Sequence, residues 1–91
     1  MSMTKGEYRV GISFNPSENN SVAQIKRSAA GLIDLIETIP TPELTDEMSD
    51  DEWEVGMEQT VEIVRLKALA QTAIEEGAMW AVKAATKGQM K

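Results

Sequence analysis

Apolar positions recur along this chain at helical spacing in two separate runs. In the first, Val22, Ile25, Ala29, Leu32, Ile36 and Ile39 follow one another at intervals of three and four residues, and Ile33 and Leu35 widen the face. This predicts an amphipathic helix over residues 21–39. Asn20 or Ser21 supplies the N-cap. Pro40 and Pro42, which cannot donate a backbone hydrogen bond, end the helix. The second run is an Ala-rich stretch over residues 52–87 that reads as one continuous helix, with Gly56 as an early kink or break. At ~1.5 Å per residue it spans ~54 Å, whereas a compact domain of this length has a radius of gyration near ~12 Å. Its own chain is too small to cover it. Ala70, Ala73, Gly77, Ala81 and Ala84 form a stripe of small side chains along one face, while Leu66, Leu69, Ile74, Met79, Trp80 and Val82 spread around more of the circumference than one neighbouring helix buries. Packing against partner chains follows.

The remaining segments lack a helical period. Residues 1–20 hold Tyr8, Val10, Ile12 and Phe14 in alternation, which suits a short strand, but no partner strand exists in the chain. They read as an ordered arm or loop. Residues 40–51 are acidic and proline-containing, a solvated connector with Trp53 anchoring its far end. The expected fold is all-α: one domain over residues 1–91, a helical hairpin of one medium and one long helix with an N-terminal arm, assembled as a homo-oligomer.

Composition removes several chemistries. With neither Cys nor His, thiolate and imidazole zinc sites and Ser-His or Cys-His hydrolysis are excluded. No apolar run approaches the ~20 residues of a membrane span, and the Met1-Ser2-Met3-Thr4-Lys5 start lacks a signal-type apolar segment, so a cytosolic setting without membrane contact is expected. The net charge of −6 is segregated. Nine acids and no base lie between Glu43 and Glu62, while outside that window nine bases face six acids. This argues against binding DNA or RNA polymers, yet local cation clusters suit small anions. The acids near residue 52 and Lys83, Lys87 and Lys91 complement the poles of the long helix.

Three places carry candidate chemistry. Glu54, Glu58 and Glu62 share one helical face, as magnesium-binding glutamates do in all-α nucleotide pyrophosphatases, but the facing acidic cluster reduces to Glu75-Glu76. A solvated acidic face is the plainer reading, and no metal or other cofactor is expected. In the arm, Tyr8 and Phe14 flank Gly6, Gly11, Asn15 and Pro16, ahead of Lys26 and Arg27. Rings beside two cations suit a nucleotide, bases stacking and ammonium meeting phosphate, while packing of the rings onto the helices is the alternative. Lys83 and Lys87, with Trp80 a turn earlier, form either an anion site or ordinary cations at a helix C-terminus.

The order Tyr8-Arg9-Val10-Gly11, Phe14-Asn15-Pro16, Ile25-Lys26-Arg27-Ser28-Ala29-Ala30 and Leu32-Ile33-Asp34-Leu35-Ile36, followed by Arg65-Leu66-Lys67-Ala68-Leu69-Ala70 and Ala78-Met79-Trp80-Ala81-Val82-Lys83-Ala84-Ala85-Thr86-Lys87, resembles the phage-encoded anti-CBASS protein 2 family. The similarity covers residues 8–39 and about 61–88. It implies a helical homohexamer that sequesters cyclic oligonucleotides, the second messengers of bacterial CBASS immunity, in the host cytoplasm without cleaving them. In that family an arm tyrosine stacks on the bases and a lysine early in the first long helix meets the phosphates; these positions correspond to Tyr8 and Lys26, with Phe14 the other aromatic of the arm. A two-fold assembly would set two of each around one cyclic dinucleotide. The resemblance also implies cyclic trinucleotide binding at separate sites, for which Arg65 and Lys83 are candidates by charge alone. Two other functions stay open: a magnesium-dependent nucleotide hydrolase using Glu58 and Glu62, and a non-catalytic protein-binding accessory protein.

Overall fold

The computed structural model describes residues 2–16 and 18–88, whose regular structure is three α-helices: α1 (Lys5–Val10), α2 (Asn20–Glu37) and α3 (Asp50–Lys87). Ser17 and Lys91 lie outside the described residues. The arm is therefore partly helical, contrary to the expectation of a loop. Its signal is Thr4-x-x-Glu7: the Thr4 hydroxyl accepts from the Glu7 amide at 3.0 Å and the Glu7 carboxylate accepts from the Thr4 amide at 2.8 Å, a capping box. Gly11, left-handed at φ 63°, stops the helix.

Six residues of helix are marginal on their own, so tertiary contacts must hold α1. A Cβ on Gly6 would stand 2.1 Å from the Ala30 carbonyl oxygen, which means the two backbones touch where only hydrogen fits. The Gly6 amide donates to Asp34 Oδ1 at 2.7 Å, Lys5 donates to Glu37 and Gln71, and Arg9 donates to Glu75 and Thr72.

Helices α2 and α3 run antiparallel. The Asn19 side chain donates to the Ala85 carbonyl, Gln71 to the Ile33 carbonyl, and Lys67 to the Glu37 and Ile39 carbonyls that α2 leaves open at its C-terminus. Asn19, rather than Asn20 or Ser21, is the N-cap, accepting from the Ser21 and Val22 amides. The core consists of Val22, Ala29, Ala30, Ile33 and Ala78, with Gln71 and Lys26 buried among them. The buried face of α2 is thus rotated from the expected one: α1 meets Ala30 through Gly6 and the turn after α1 covers Lys26, while Leu32 and Ile39 are about half exposed.

The molecule is 64 Å long with a radius of gyration of 18.1 Å, far from compact. Helix α3 starts at a second capping box, Ser49 with Glu52, whose carboxyl the Ser49 amide holds below the usual carboxylate range. It runs unbroken through Gly56. That glycine admits the connector instead of kinking the helix, because its Cβ would meet Leu44 Cδ2 at 2.5 Å. Leu44 thus holds the connector against Gly56, and Trp53 is 42% exposed. Val55, Val61, Val64, Leu66 and Leu69 are all exposed, and nothing lies within 4 Å of a Cβ placed on Gly77. The small-residue stripe is open within one chain at Ala73, Gly77 and Ala84. None of the described helices is long and apolar enough to cross a membrane.

Candidate functional site

Where α1 crosses toward the C-terminal half of α3, a cavity of about 400 Å³ opens between the three helices. That is within the size range of small-molecule pockets. Arg9, Lys26 and Lys83 bring three cations to it, Glu75 one carboxylate, and Val10, Met79 and Val82 an apolar wall. Glu75 is spoken for: Arg9 grips its Oε2 through Nε at 2.8 Å and Nη2 at 2.5 Å. This clamp fixes α1 against α3 and leaves the lining cationic. Lys83 also holds its ammonium 5.0 Å from the centre of the Trp80 ring, beside a second groove of about 500 Å³ lined by Trp80, Lys83 and Lys87. Among the described residues neither Lys83 nor Lys87 has a carboxylate partner.

Lys26 sits at the floor. It is 7% exposed, and its ammonium donates to the Gly11 carbonyl at 2.9 Å and to the Phe14 carbonyl, with the Phe14 ring centre 5.4 Å away. The structure therefore joins Lys26, Gly11 and Phe14 in one cluster. Asn15 lies just beyond it and exchanges hydrogen bonds with the backbone of Asn19, tying the arm to the start of α2. Tyr8 is 78% exposed on α1 and does not line the cavity that its neighbour Arg9 enters. Arg27 is exposed, one residue past the buried lysine.

The Acb2/Tad1 hairpin domain model matches residues 6–86. The chain belongs to the Acb2/Tad1 hairpin family. This is the anti-CBASS protein 2, or cyclic-oligonucleotide sponge, family. Neither a curated protein nor a solved structure matches. The Acb2/Tad1 match runs through the connector as well as through both segments that carry the resemblance.

Within the Acb2/Tad1 hairpin the other candidate residues fall apart from the cavity. Arg65 is spent on Glu62, donating at 2.5 Å; the pair raises the guanidinium and lowers the carboxyl from their ordinary values. Glu54 and Glu58 are exposed, and among the described residues no three acids gather closely enough to hold a metal ion. Arg9 is the cavity residue that the sequence reading leaves out. It becomes visible only once Thr4-x-x-Glu7 is read as a helix start, which places Arg9 on the face of α1 that meets Glu75.

Proposed function

We propose that this chain is a phage immune-evasion protein that binds cyclic oligonucleotides and withholds them, uncleaved, from CBASS signalling in the host cytoplasm, as a homohexamer. The observation that carries this reading is the convergence of Arg9, Lys26 and Lys83 on one partly apolar cavity next to an exposed Tyr8. Phosphates carry a negative charge at every pH a cytoplasm offers, and cations in a half-enclosed site hold them more strongly than surface lysines do. Tyr8 offers a free ring for stacking, worth ~1–3 kcal/mol per base. Met79 and Val82 suit the apolar faces of base and ribose. Cyclic dinucleotides such as 3′,3′-cyclic GMP-AMP are the first ligand class; cyclic trinucleotides are the second.

The family is one of binding proteins rather than hydrolases. The side chains present support retention without cleavage: no His or Cys is available as base or nucleophile, and among the described residues no three acids gather closely enough to hold a metal ion. The test is recovery of the ligand. Excess protein is incubated with 3′,3′-cyclic GMP-AMP and magnesium until free nucleotide disappears, then denatured, and the released nucleotide is chromatographed. Intact cyclic compound is the expected product, with Lys26→Glu abolishing uptake and Tyr8→Ala weakening it. Linear dinucleotide in the eluate, lost in Glu58→Gln, overturns the proposal.

A further inference from the structure

Among the described residues Lys26 is the one buried charge, and no carboxylate pairs with it. Burying an ammonium without a counter-ion is costly unless its donors are satisfied. Here the satisfaction comes entirely from the arm: two carbonyl oxygens, of Gly11 and Phe14, and the π-face of the Phe14 ring. Two oxygens with an aromatic ring beside them are also what a nucleotide would present, as two unesterified phosphate oxygens and a base. The turn over residues 11–16 fills the coordination of Lys26 from within the chain.

We propose that this turn is an internal competitor for the nucleotide site, masking Lys26 until a cyclic oligonucleotide displaces it. This rests on the sponge reading and adds how its site is regulated. The build of the turn fits release. Its two ends are fixed, by the left-handed Gly11 at the end of α1 and by the Asn15–Asn19 exchange at the start of α2. Between them, Phe14 is 71% exposed, so lifting its ring from the ammonium uncovers little additional apolar surface. The Phe14 amide bonds only within the turn, to the Gly11 carbonyl at 2.9 Å. Loss of the ammonium contact therefore leaves the two helices and their mutual packing in place. Because a ligand binds only the open fraction, apparent affinity is the intrinsic affinity scaled down by that fraction.

Hydrogen exchange at the amides of residues 11–15, read by mass spectrometry, tests the mask with and without ligand. In the ligand-free protein Lys26→Met should speed exchange there about 10-fold while exchange in α2 and α3 stays as in the wild type. Unchanged exchange in that variant would show that Lys26 does not hold the turn and would overturn the mask without touching the sponge reading. With saturating 3′,3′-cyclic GMP-AMP the same amides of the wild type should exchange faster; slower or equal exchange overturns displacement. Calorimetric titration supplies the second arm. Phe14→Ala, and independently Gly11→Ala, which strains a backbone at φ 63°, should each tighten binding about 5-fold, and equal or weaker binding in both contradicts the proposal. A wild type that takes up no cyclic dinucleotide sinks the sponge reading itself, whatever the Lys26→Met exchange shows.

Discussion

The two ends of α3 live under different rules. From about residue 67 onward the helix is clasped by α1 and α2 through named polar bonds, Lys67 to Glu37, Gln71 to Ile33, Arg9 to Glu75 and Asn19 to Ala85, each joining residues at least 30 apart in the chain. From Asp50 to Leu66 the described side-chain hydrogen bonds stay within the helix and its Ser49 cap, and it exposes Val55, Met57, Val61, Val64 and Leu66 beside a row of acids. The first end is ordered by contacts within one chain. The second has an apolar surface that a single chain leaves wet, which is the condition for assembly. Specific polar latches hold one end of the helix, and bare apolar surface dominates the other.

Substitutions at glycines separate the surfaces used within the chain from those it leaves open most sharply. Gly6→Ala pushes a methyl into the Ala30 carbonyl at 2.1 Å, backbone against backbone, and should destabilise the docked arm by about 3 kcal/mol. Loss of protection in α1 with α2 and α3 intact would be read by hydrogen exchange. Gly77→Leu meets nothing within 4 Å in one chain, so the fold of the subunit should persist while close packing between chains loses ~1–3 kcal/mol per site, repeated in every subunit. Light scattering then reports a smaller particle than the wild type. An unchanged particle would move the interface off the small-residue stripe.

The clasped end should also feel acid most. Hydrogen bonds from Gln71 and then Lys5 hold the Glu37 carboxyl down at about 2, against an ordinary value of 4.5. A group depressed on folding contributes stability that is complete above its unfolded value and is lost as pH falls through the folded one. Thermal melts between pH 5 and pH 2 should therefore drop more for the wild type than for Glu37→Gln, and the two curves should converge toward pH 2. Parallel curves would mean that Glu37 contributes nothing to the clasp. The smallest effect is expected at the other end: Gly56→Ala displaces only the tip of Leu44, at 2.5 Å, and gains about 1 kcal/mol of helix propensity in return, so its melting temperature should stay within a few degrees of the wild type.

Much of this was legible in the residues. The long helix was readable because alanines, a run of acids at its start and lysines at its end agree with one another, and the end of α2 because two prolines follow it. The arm helix was not, since alternating Tyr8, Val10, Ile12 and Phe14 outweigh a four-residue capping box to any reading that ranks apolar period first. The rotated face of α2 escaped for a related reason. It is set by contact of Gly6 with a carbonyl and by a buried lysine, neither of which has a hydrophobic signature. Lys26 was readable as a cation behind the arm aromatics, its burial was not, and Arg9 depends on a partner 66 residues away.

That separation has a consequence for synthesis. Gln71 and Glu75, which fasten α1 to α3 through Lys5 and Arg9, are made 66 residues after those two. At ~5–20 residues per second the wait is roughly 3 to 13 s, during which a six-residue helix has little stability of its own. Until α3 is made, α1 has only its contacts with α2, the Gly6 amide on Asp34 and Lys5 on Glu37, and the Arg9 clamp beside Tyr8 stays open.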